Sequence, residues 1–214
     1  MTAIEALLGG APVIPVVVID SVDDALPIAG ALAAGGLRAI EVTLRTPCAE
    51  EAIRQIASEL PEVVVGAGTV INAGQARAAA AAGARFLVSP GTTPALLDAL
   101  SDTGLPFLAG TATASDVVAL LERGVTEAKL FPAKILGGAA ALKAFAGPFP
   151  EMRFCPTGGI DAASAPGYLA LPNVICVGGS WMLPAAAIDA GDWGQIETLA
   201  HAAAALADLS AGRP

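Results

Sequence analysis

Lys129 is the residue whose type and surroundings most clearly indicate chemistry. It lies in the short, largely apolar stretch Glu127-Ala128-Lys129-Leu130-Phe131-Pro132-Ala133-Lys134, in a chain that has only three lysines. A desolvated ammonium group loses its proton more readily than an exposed one, and the neutral amine is the nucleophile that forms a Schiff base with a ketone. The stretch alone leaves a second interpretation open, in which Lys129 reaches solvent from a strand end or pairs structurally with an acid.

A second polar stretch, Ile40-Glu41-Val42-Thr43-Leu44-Arg45, has the alternation of a strand. This period of two predicts that Glu41, Thr43 and Arg45 point to one side and the apolar residues to the other. In a barrel the polar side is the interior, where three polar side chains are costly to bury. The pattern therefore indicates a functional set, and the alternative is a structural ion pair across the barrel.

Two further strand ends carry small or turn-forming residues. One reads Gly66-Ala67-Gly68-Thr69 and offers space and a hydroxyl group, and the other reads Ser89-Pro90-Gly91-Thr92-Thr93. Taken singly, each fits an ordinary strand-to-helix turn equally well.

Paired glycines follow the last two predicted strands, as Thr157-Gly158-Gly159 and Gly178-Gly179-Ser180. Glycines let backbone N–H groups approach an anion closely, and helix amino ends favour negative charge. The loops after strands seven and eight of a (β/α)8 barrel are a common phosphate site. Two such loops favour phosphate binding over simple tight turns.

The elements that must position these residues form a repeating pattern. Buried apolar strands alternate with helical segments, which predicts eight parallel strands and a single-domain (β/α)8 barrel over residues 1–214 with a short amino-terminal helix, residues 1–10. An open doubly wound sheet is the alternative. The predicted strands are 13–19, 39–44, 63–69, 86–90, 106–111, 127–133, 153–159 and 174–180. The predicted helices between them are 22–34, 49–60, 73–82, 94–103, 114–123, 139–146, 162–169 and 185–209.

The composition of the chain limits the classes of partner that it could bind. A net charge of -9 argues against nucleic acid and anionic membranes. No apolar run has bilayer length and no basic leader opens the chain, so we expect a cytoplasmic protein. The three widely spaced cysteines and the single histidine indicate neither a disulfide framework nor a metal site. We therefore expect a small-molecule substrate and no cofactor.

Together, several ordered motifs resemble the 2-keto-3-deoxy-6-phosphogluconate aldolase family. The similarity covers the chain from about Val13 to Ala190. The motifs are Glu41-Val42-Thr43-Leu44-Arg45-Thr46-Pro47, Gly66-Ala67-Gly68-Thr69-Val70, Ser89-Pro90-Gly91, Lys129-Leu130-Phe131-Pro132-Ala133, Gly147-Pro148-Phe149-Pro150, Arg153-Phe154-Cys155-Pro156-Thr157-Gly158-Gly159 and Gly178-Gly179-Ser180-Trp181.

The resemblance implies a role for each matched position. Lys129 would form the Schiff base with pyruvate and Glu41 would move the protons, while Arg45 and Thr69 would hold the pyruvate carboxylate. Pro90 and Phe131 would line the pocket. The phosphate end would consist of Thr157, Gly158, Gly159, Gly179 and Ser180. The resemblance also implies a metal-free homotrimer that catalyses the Entner-Doudoroff aldolase reaction.

Two positions depart from the family pattern. Lys134 stands where the family usually has glutamate, and Thr111 stands where it usually has isoleucine. Neither belongs to the Lys129, Glu41 and Arg45 set, so they bear on substrate preference rather than on the reaction. Three alternatives stay open: an aldolase for the galactonate-derived epimer, a non-covalent phosphosugar isomerase or synthase, and a non-catalytic sensor. Glu127 is a second candidate base, about 6.6 Å nearer the lower end of the barrel.

Overall fold

Eight short parallel strands form one sheet in the order β7-β6-β5-β4-β3-β2-β1-β8. The computed structural model describes residues 3–8 and 10–207. The strands are β1 Val13–Val17, β2 Ala39–Thr43, β3 Val64–Gly68, β4 Leu87–Val88, β5 Phe107–Thr111, β6 Glu127–Leu130, β7 Arg153–Pro156 and β8 Val177–Gly179. Bridges from Phe154 to Val174 and from Thr157 to Gly178 join the two ends of the sheet. The predicted (β/α)8 barrel is confirmed, and the open sheet is wrong.

Helices alternate with the strands around the barrel. They are α1 Ala3–Leu8, α2 Ala25–Ala34, α3 Ala49–Glu59, α4 Ala73–Ala81, α5 Pro94–Ser101, α6 Ala114–Leu121, α7 Gly138–Ala146, α8 Ala165–Leu169, α9 Ala185–Asp189 and α10 Trp193–Ala204. Several begin where the sequence offers a capping side chain: Asn72, Thr93 and Thr113 each accept a hydrogen bond from a backbone N–H group in the first helical turn. No described helix is both long and apolar enough to span a bilayer.

Two apolar cores result from the alternation within the strands. Ile40 and Val42 of β2 and Ala128 and Leu130 of β6 belong to the outer core, between the strands and the helices. The inner core fills the lower part of the barrel. Its members are Ile4, Leu8, Ile14, Ala39, Phe86, Val88, Leu108, Cys155, Ile175 and Cys176. The inner core includes Ile4 and Leu8 of α1, so this short helix closes the amino end of the barrel.

Glu127 contacts the helix that closes the amino end of the barrel. Its side chain is buried, and its Oε2 atom accepts a hydrogen bond of 3.3 Å from the backbone N–H of Ile4 at the start of α1. A carboxylate at a helix amino end compensates N–H groups that lack a partner within the helix. This contact gives Glu127 a structural role at the end of the barrel away from the strand carboxyl ends.

The predicted helix 185–209 is wrong as one element. Gly191 has a φ of 63°, in the left-handed region that a helix cannot continue through. Asp192 then accepts a hydrogen bond from the backbone N–H of Gln195 and starts a new helix, α10. A 3-10 turn at Ala205–Ala207 follows α10, and residues 208 and 209 lie outside the described residues, as do residues 1, 2 and 9 of the predicted leading helix.

Most strands are also shorter than predicted at their carboxyl ends. The predicted strand 127–133 ends at Leu130, and the predicted strand 86–90 pairs only over Leu87 and Val88. The residues beyond these ends form the loops at the top of the barrel. Proline and glycine interrupt strand pairing there, because proline lacks an N–H group and glycine adopts turn conformations readily.

Candidate active site

A buried pair of opposite charges lies inside the barrel. Lys129 on β6 and Glu41 on β2 are 5% and 3% exposed, and the Lys129 Nζ atom lies 3.2 Å from Glu41 Oε1 and 3.5 Å from Oε2. Three strands separate β2 from β6 on one side of the barrel. Both side chains point inward, as their strands predict. The structure therefore brings together an amine and a carboxylate that are 88 residues apart in the chain.

Glycines on the barrel wall leave room for the Glu41 carboxylate and for the loop after β4. A Cβ atom at Gly68 of β3 would lie 2.1 Å from Glu41 Oε1, far inside van der Waals contact. A Cβ atom at Gly110 of β5 would lie 2.3 Å from the carbonyl carbon of Pro90, so the loop after β4 also packs directly on a glycine. From the sequence alone, Gly68 is only part of a small-residue strand end. Its specific role is to leave the space that the Glu41 carboxylate occupies.

Phe131 forms one wall beside the amine. The centre of its ring lies 5.4 Å from Lys129 Nζ, within the range of a cation–π contact. Its backbone N–H donates to the carbonyl oxygen of Thr111 at 3.1 Å, which ties the start of the loop to β5. Pro90, a predicted pocket residue on the neighbouring loop, is half-buried.

Thr111 is a residue whose role sequence reasoning missed. It is buried, and its hydroxyl group donates a 3.1 Å hydrogen bond to the backbone carbonyl of Lys129. Thr43 makes a similar bond of 3.0 Å to the carbonyl of Val17. A threonine at the last position of a buried strand was the available signal. Both hydroxyl groups fix the backbone of strands that line the site rather than offering a group to a ligand.

Thr69 has an unusual backbone conformation. Its φ is 60°, and it is the one described residue other than glycine with a positive φ. A β-branched residue in the left-handed region is strained, and such strain persists where the surrounding structure enforces it. Thr69 follows the last residue of β3 and is half-buried, at the upper edge of the site.

The prediction for Arg45 needs a correction. Strand β2 ends at Thr43, and Arg45 lies in the turn that follows, with an exposed side chain. The period of two holds only while the chain remains a strand, so it does not extend to Arg45. The residue lies at the carboxyl end of the barrel, on the rim rather than inside with Glu41 and Thr43.

The two predicted glycine loops lie side by side. A bridge between Thr157 and Gly178 aligns the ends of β7 and β8, and Thr157 is buried. Gly158 and Gly159 have φ values of 102° and 75°, in the region that strongly favours glycine. A Cβ atom at Gly158 would lie 3.3 Å from the Phe131 ring, so this loop packs on the same ring that lies beside the amine.

In the second loop, the backbone of Gly179 lies directly against the Trp181 ring. A Cβ atom at Gly179 would lie 2.0 Å from the Trp181 ring, and Ser180 between them is exposed.

Within residues 3–8 and 10–207, no three His, Cys, Asp or Glu side chains are grouped so that they could hold a metal ion.

Comparisons with known proteins agree with this geometry. The family model "KDPG and KHG aldolase" matches residues 4–199. The KHG/KDPG aldolase of Escherichia coli is 50% identical over 202 residues, which are 94% of this chain and 95% of that protein. The 2-dehydro-3-deoxy-phosphogluconate aldolase of Dickeya dadantii is 50% identical over 204 residues, 95% of this chain and 96% of that one.

A solved structure shows the same fold and a relevant ligand. The KDPG aldolase of Legionella pneumophila, which holds pyruvate captured as a covalent carbinolamine intermediate, superposes with a TM-score of 0.92 at 46% identity. The match covers 95% of this chain and 98% of that one. From the family model and these relatives, the chain belongs to the KDPG and KHG aldolase family.

Proposed function

We propose that this protein is a class I aldolase, a carbon–carbon lyase. It cleaves 2-keto-3-deoxy-6-phosphogluconate to pyruvate and glyceraldehyde 3-phosphate, and it also cleaves 4-hydroxy-2-oxoglutarate to pyruvate and glyoxylate. The observation that carries the proposal is the buried pair of Lys129 Nζ and Glu41 Oε1 at 3.2 Å. Relatives at 50% identity carry aldolase names, which supports the same reaction.

The first steps join the substrate to Lys129. Glu41 accepts a proton from the ammonium group, and the neutral amine attacks the C2 carbonyl carbon to form a carbinolamine. Glu41 returns its proton to the carbinolamine hydroxyl group, which leaves as water and gives an iminium ion beside the regenerated carboxylate. The positive iminium takes the place of the positive ammonium beside the carboxylate, so the local charge changes little. This conservation matters because the pair is almost fully buried and an unpaired charge there would be costly.

Glu41 then acts on the carbon chain. Its carboxylate removes the proton of the C4 hydroxyl group, the C3–C4 bond breaks, and the electron pair moves into the iminium to give an enamine and the free aldehyde. The protonated Glu41 returns that proton to C3, which becomes the methyl group of pyruvate. Water hydrolyses the iminium and releases pyruvate from Lys129.

The remaining predicted residues hold the two ends of the substrate in this proposal. Arg45 and Thr69 take the pyruvate carboxylate, and a guanidinium group is well suited to bidentate carboxylate recognition. Phe131 and Pro90 line the space beside the imine. The loops after β7 and β8 take the phosphate through their backbone N–H groups, with the residues Thr157, Gly158, Gly159, Gly179 and Ser180.

Reductive trapping tests the covalent step. Incubation with pyruvate and borohydride should add a reduced pyruvoyl group to the peptide that contains Lys129, as peptide mass spectrometry would detect. Lys129→Met should abolish the modification, and Lys134→Met should leave it at wild-type level, because Lys134 is exposed on the loop beyond β6. If Lys129 of the wild-type protein gains no mass, the proposal is refuted and a non-covalent isomerase or synthase is favoured.

Exchange of the pyruvate methyl protons in deuterium oxide tests the carboxylate. Glu41→Gln should lower the exchange rate by about 100-fold or more, as loss of a general base does. Glu127→Gln is the matched control, since Glu127 is also buried but its carboxylate contacts the start of α1. Fast exchange in the Glu41 variant, or slow exchange only in the Glu127 variant, would contradict the assignment.

Two finer points belong to the same proposal. The C4 stereochemistry is tested by comparing kcat/KM for the gluconate-derived and the galactonate-derived substrates, and we expect the gluconate-derived one to be preferred. We also expect a cytoplasmic homotrimer, and sedimentation equilibrium of the purified protein tests the subunit number.

A further inference from the structure

The three loops at the proposed phosphate end carry very little charge. They comprise residues 131–137 after β6, 157–164 after β7 and 180–184 after β8. Their sequences contain one cationic side chain, Lys134, and one carboxylate, Asp161. These two are therefore the charged side chains that the three loops themselves present to an anionic substrate group, in a chain with a net charge of -9.

Lys134 is attached directly to the glycine loop after β7. Its backbone N–H donates to the carbonyl oxygen of Gly158 at 3.1 Å, and the N–H of Ala133 donates to the carbonyl of Thr157 at 2.8 Å. A Cβ atom at Gly159 would lie 2.8 Å from Lys134 Cβ and 2.9 Å from Cδ. The aliphatic stem of Lys134 therefore lies across Gly159, while the residue as a whole is exposed.

Asp161 lies two residues after Gly159 and is held in one place. Its Oδ1 atom accepts hydrogen bonds from the Ser164 hydroxyl group at 2.7 Å and from the Ser164 backbone N–H at 2.8 Å. These two bonds, and to a lesser extent the positive charge of Lys134, hold the pKa of Asp161 below its usual value of 3.8. Asp161 is therefore ionised at neutral pH.

The two charges interact without a direct bond. No ion pair within 4.0 Å links Lys134 to an acid among the described residues. The ammonium group can thus reorient when an anion arrives, whereas the Asp161 carboxylate is fixed by Ser164 and keeps its negative charge beside the glycine loop.

We infer that Lys134 determines the preference for a phosphorylated substrate by cancelling the field of Asp161 at the Gly158–Gly159 loop. The inference rests on the proposed function and adds a side-chain determinant to a phosphate site otherwise built from backbone donors. Without Lys134, a phosphate dianion approaches an uncompensated carboxylate. The carboxylate repels it, so the substrate binds more weakly while the chemistry at Lys129 is unaffected.

Steady-state kinetics on two substrates test this inference. In Lys134→Gln, kcat/KM for 2-keto-3-deoxy-6-phosphogluconate should fall about fivefold at low ionic strength, through KM, because an exposed charge contributes little more than that. The same variant should be unchanged on 2-keto-3-deoxygluconate, which has the same carbon chain and no phosphate. High salt should reduce the loss, since both charges are exposed.

A double mutant distinguishes cancellation of the Asp161 charge from a direct contact between Lys134 and the phosphate group. Asp161→Asn keeps the hydrogen-bond acceptor for Ser164 and should not lower kcat/KM for the phosphorylated substrate. Combining it with Lys134→Gln should restore the wild-type value within about twofold, because neither charge remains. Lys143→Gln is the charge-matched control: Lys143 is exposed in the last turn of α7, and we expect no effect.

Three results would overturn the inference: no loss in Lys134→Gln, an equal loss on both substrates, or an equal loss in the single and double variants. Each is distinguishable from failure of the proposed function. Borohydride trapping of pyruvate on Lys129 should proceed in Lys134→Gln as in the wild type. Absence of trapping in the wild type would instead remove the aldolase proposal itself.

Discussion

Gly68→Ala is the substitution whose effect the structure defines most sharply. The added methyl group would lie 2.1 Å from Glu41 Oε1, 2.5 Å from Cγ and 2.6 Å from Cδ. Carbon and oxygen atoms do not approach closer than roughly 3.2 Å without repulsion, so the carboxylate must retreat by about 1 Å. Displacement of a reacting group by about 1 Å costs on the order of 100-fold in rate, or about 2.7 kcal/mol.

The cost should appear mainly in activity. The three atoms nearest the added methyl group all belong to the Glu41 side chain, so the carboxylate moves while the backbone stays in place. Gly66→Ala, two residues earlier on β3, is the matched contrast, because its methyl group would lie 2.4 Å from the ring of Phe86 in the inner core. We expect that substitution to cost about 1–3 kcal/mol of unfolding free energy, as overpacking does.

The assay couples pyruvate release to lactate dehydrogenase and compares kcat with the urea midpoint of each variant. Gly30→Ala in α2 serves as the control for kcat, since no described residue lies within 4 Å of the added methyl group, and its urea midpoint should be equal to the wild-type value or slightly higher because alanine favours the helix. A Gly68→Ala enzyme with wild-type kcat would refute the reasoning, because Glu41 would then tolerate displacement. A Gly68→Ala enzyme that is merely unstable would show that the backbone, not the carboxylate, yields.

Two further predictions concern Thr111 and Asp116. Thr111→Val removes the hydroxyl group that bonds the Lys129 carbonyl and should lower the unfolding free energy by about 1 kcal/mol in urea titrations, and an unchanged unfolding free energy would contradict the hydrogen-bond explanation. Burial raises the pKa of Asp116, but hydrogen bonds from the N–H groups of Ala112 and Thr113 outweigh it and hold the pKa below 3.8. The ionised form thus stabilises the fold above that pH, and the contribution disappears as the pH falls through the lower folded value. Asp116→Asn should therefore cost about 0.5–1 kcal/mol at neutral pH and progressively less as the pH falls below 3.8, and a pH-independent cost would contradict this sign.

Part of the site could be read from the sequence because strand periodicity is local. Once β2 and β6 are recognised, alternation alone sends Glu41 and Lys129 inward, and the structure places them there. The same rule failed for Arg45, because the strand ends at Thr43 and the turn after it follows no period. The prediction of one helix over 185–209 was wrong for a similar reason. The chain leaves the helical conformation at Gly191, and the spacing of apolar residues does not predict the positive φ of that residue.

By itself, the sequence determined the eight-fold order of strands and helices and the inward direction of the polar residues, because both follow from the spacing of neighbouring side chains. Only the tertiary structure decided that Lys129 and Glu41 lie 3.2 Å apart, that Gly68 leaves the space for the carboxylate, and that the stem of Lys134 crosses Gly159. These are contacts between distant strands and loops. They depend on how the barrel closes and how its side chains pack, which no local pattern specifies.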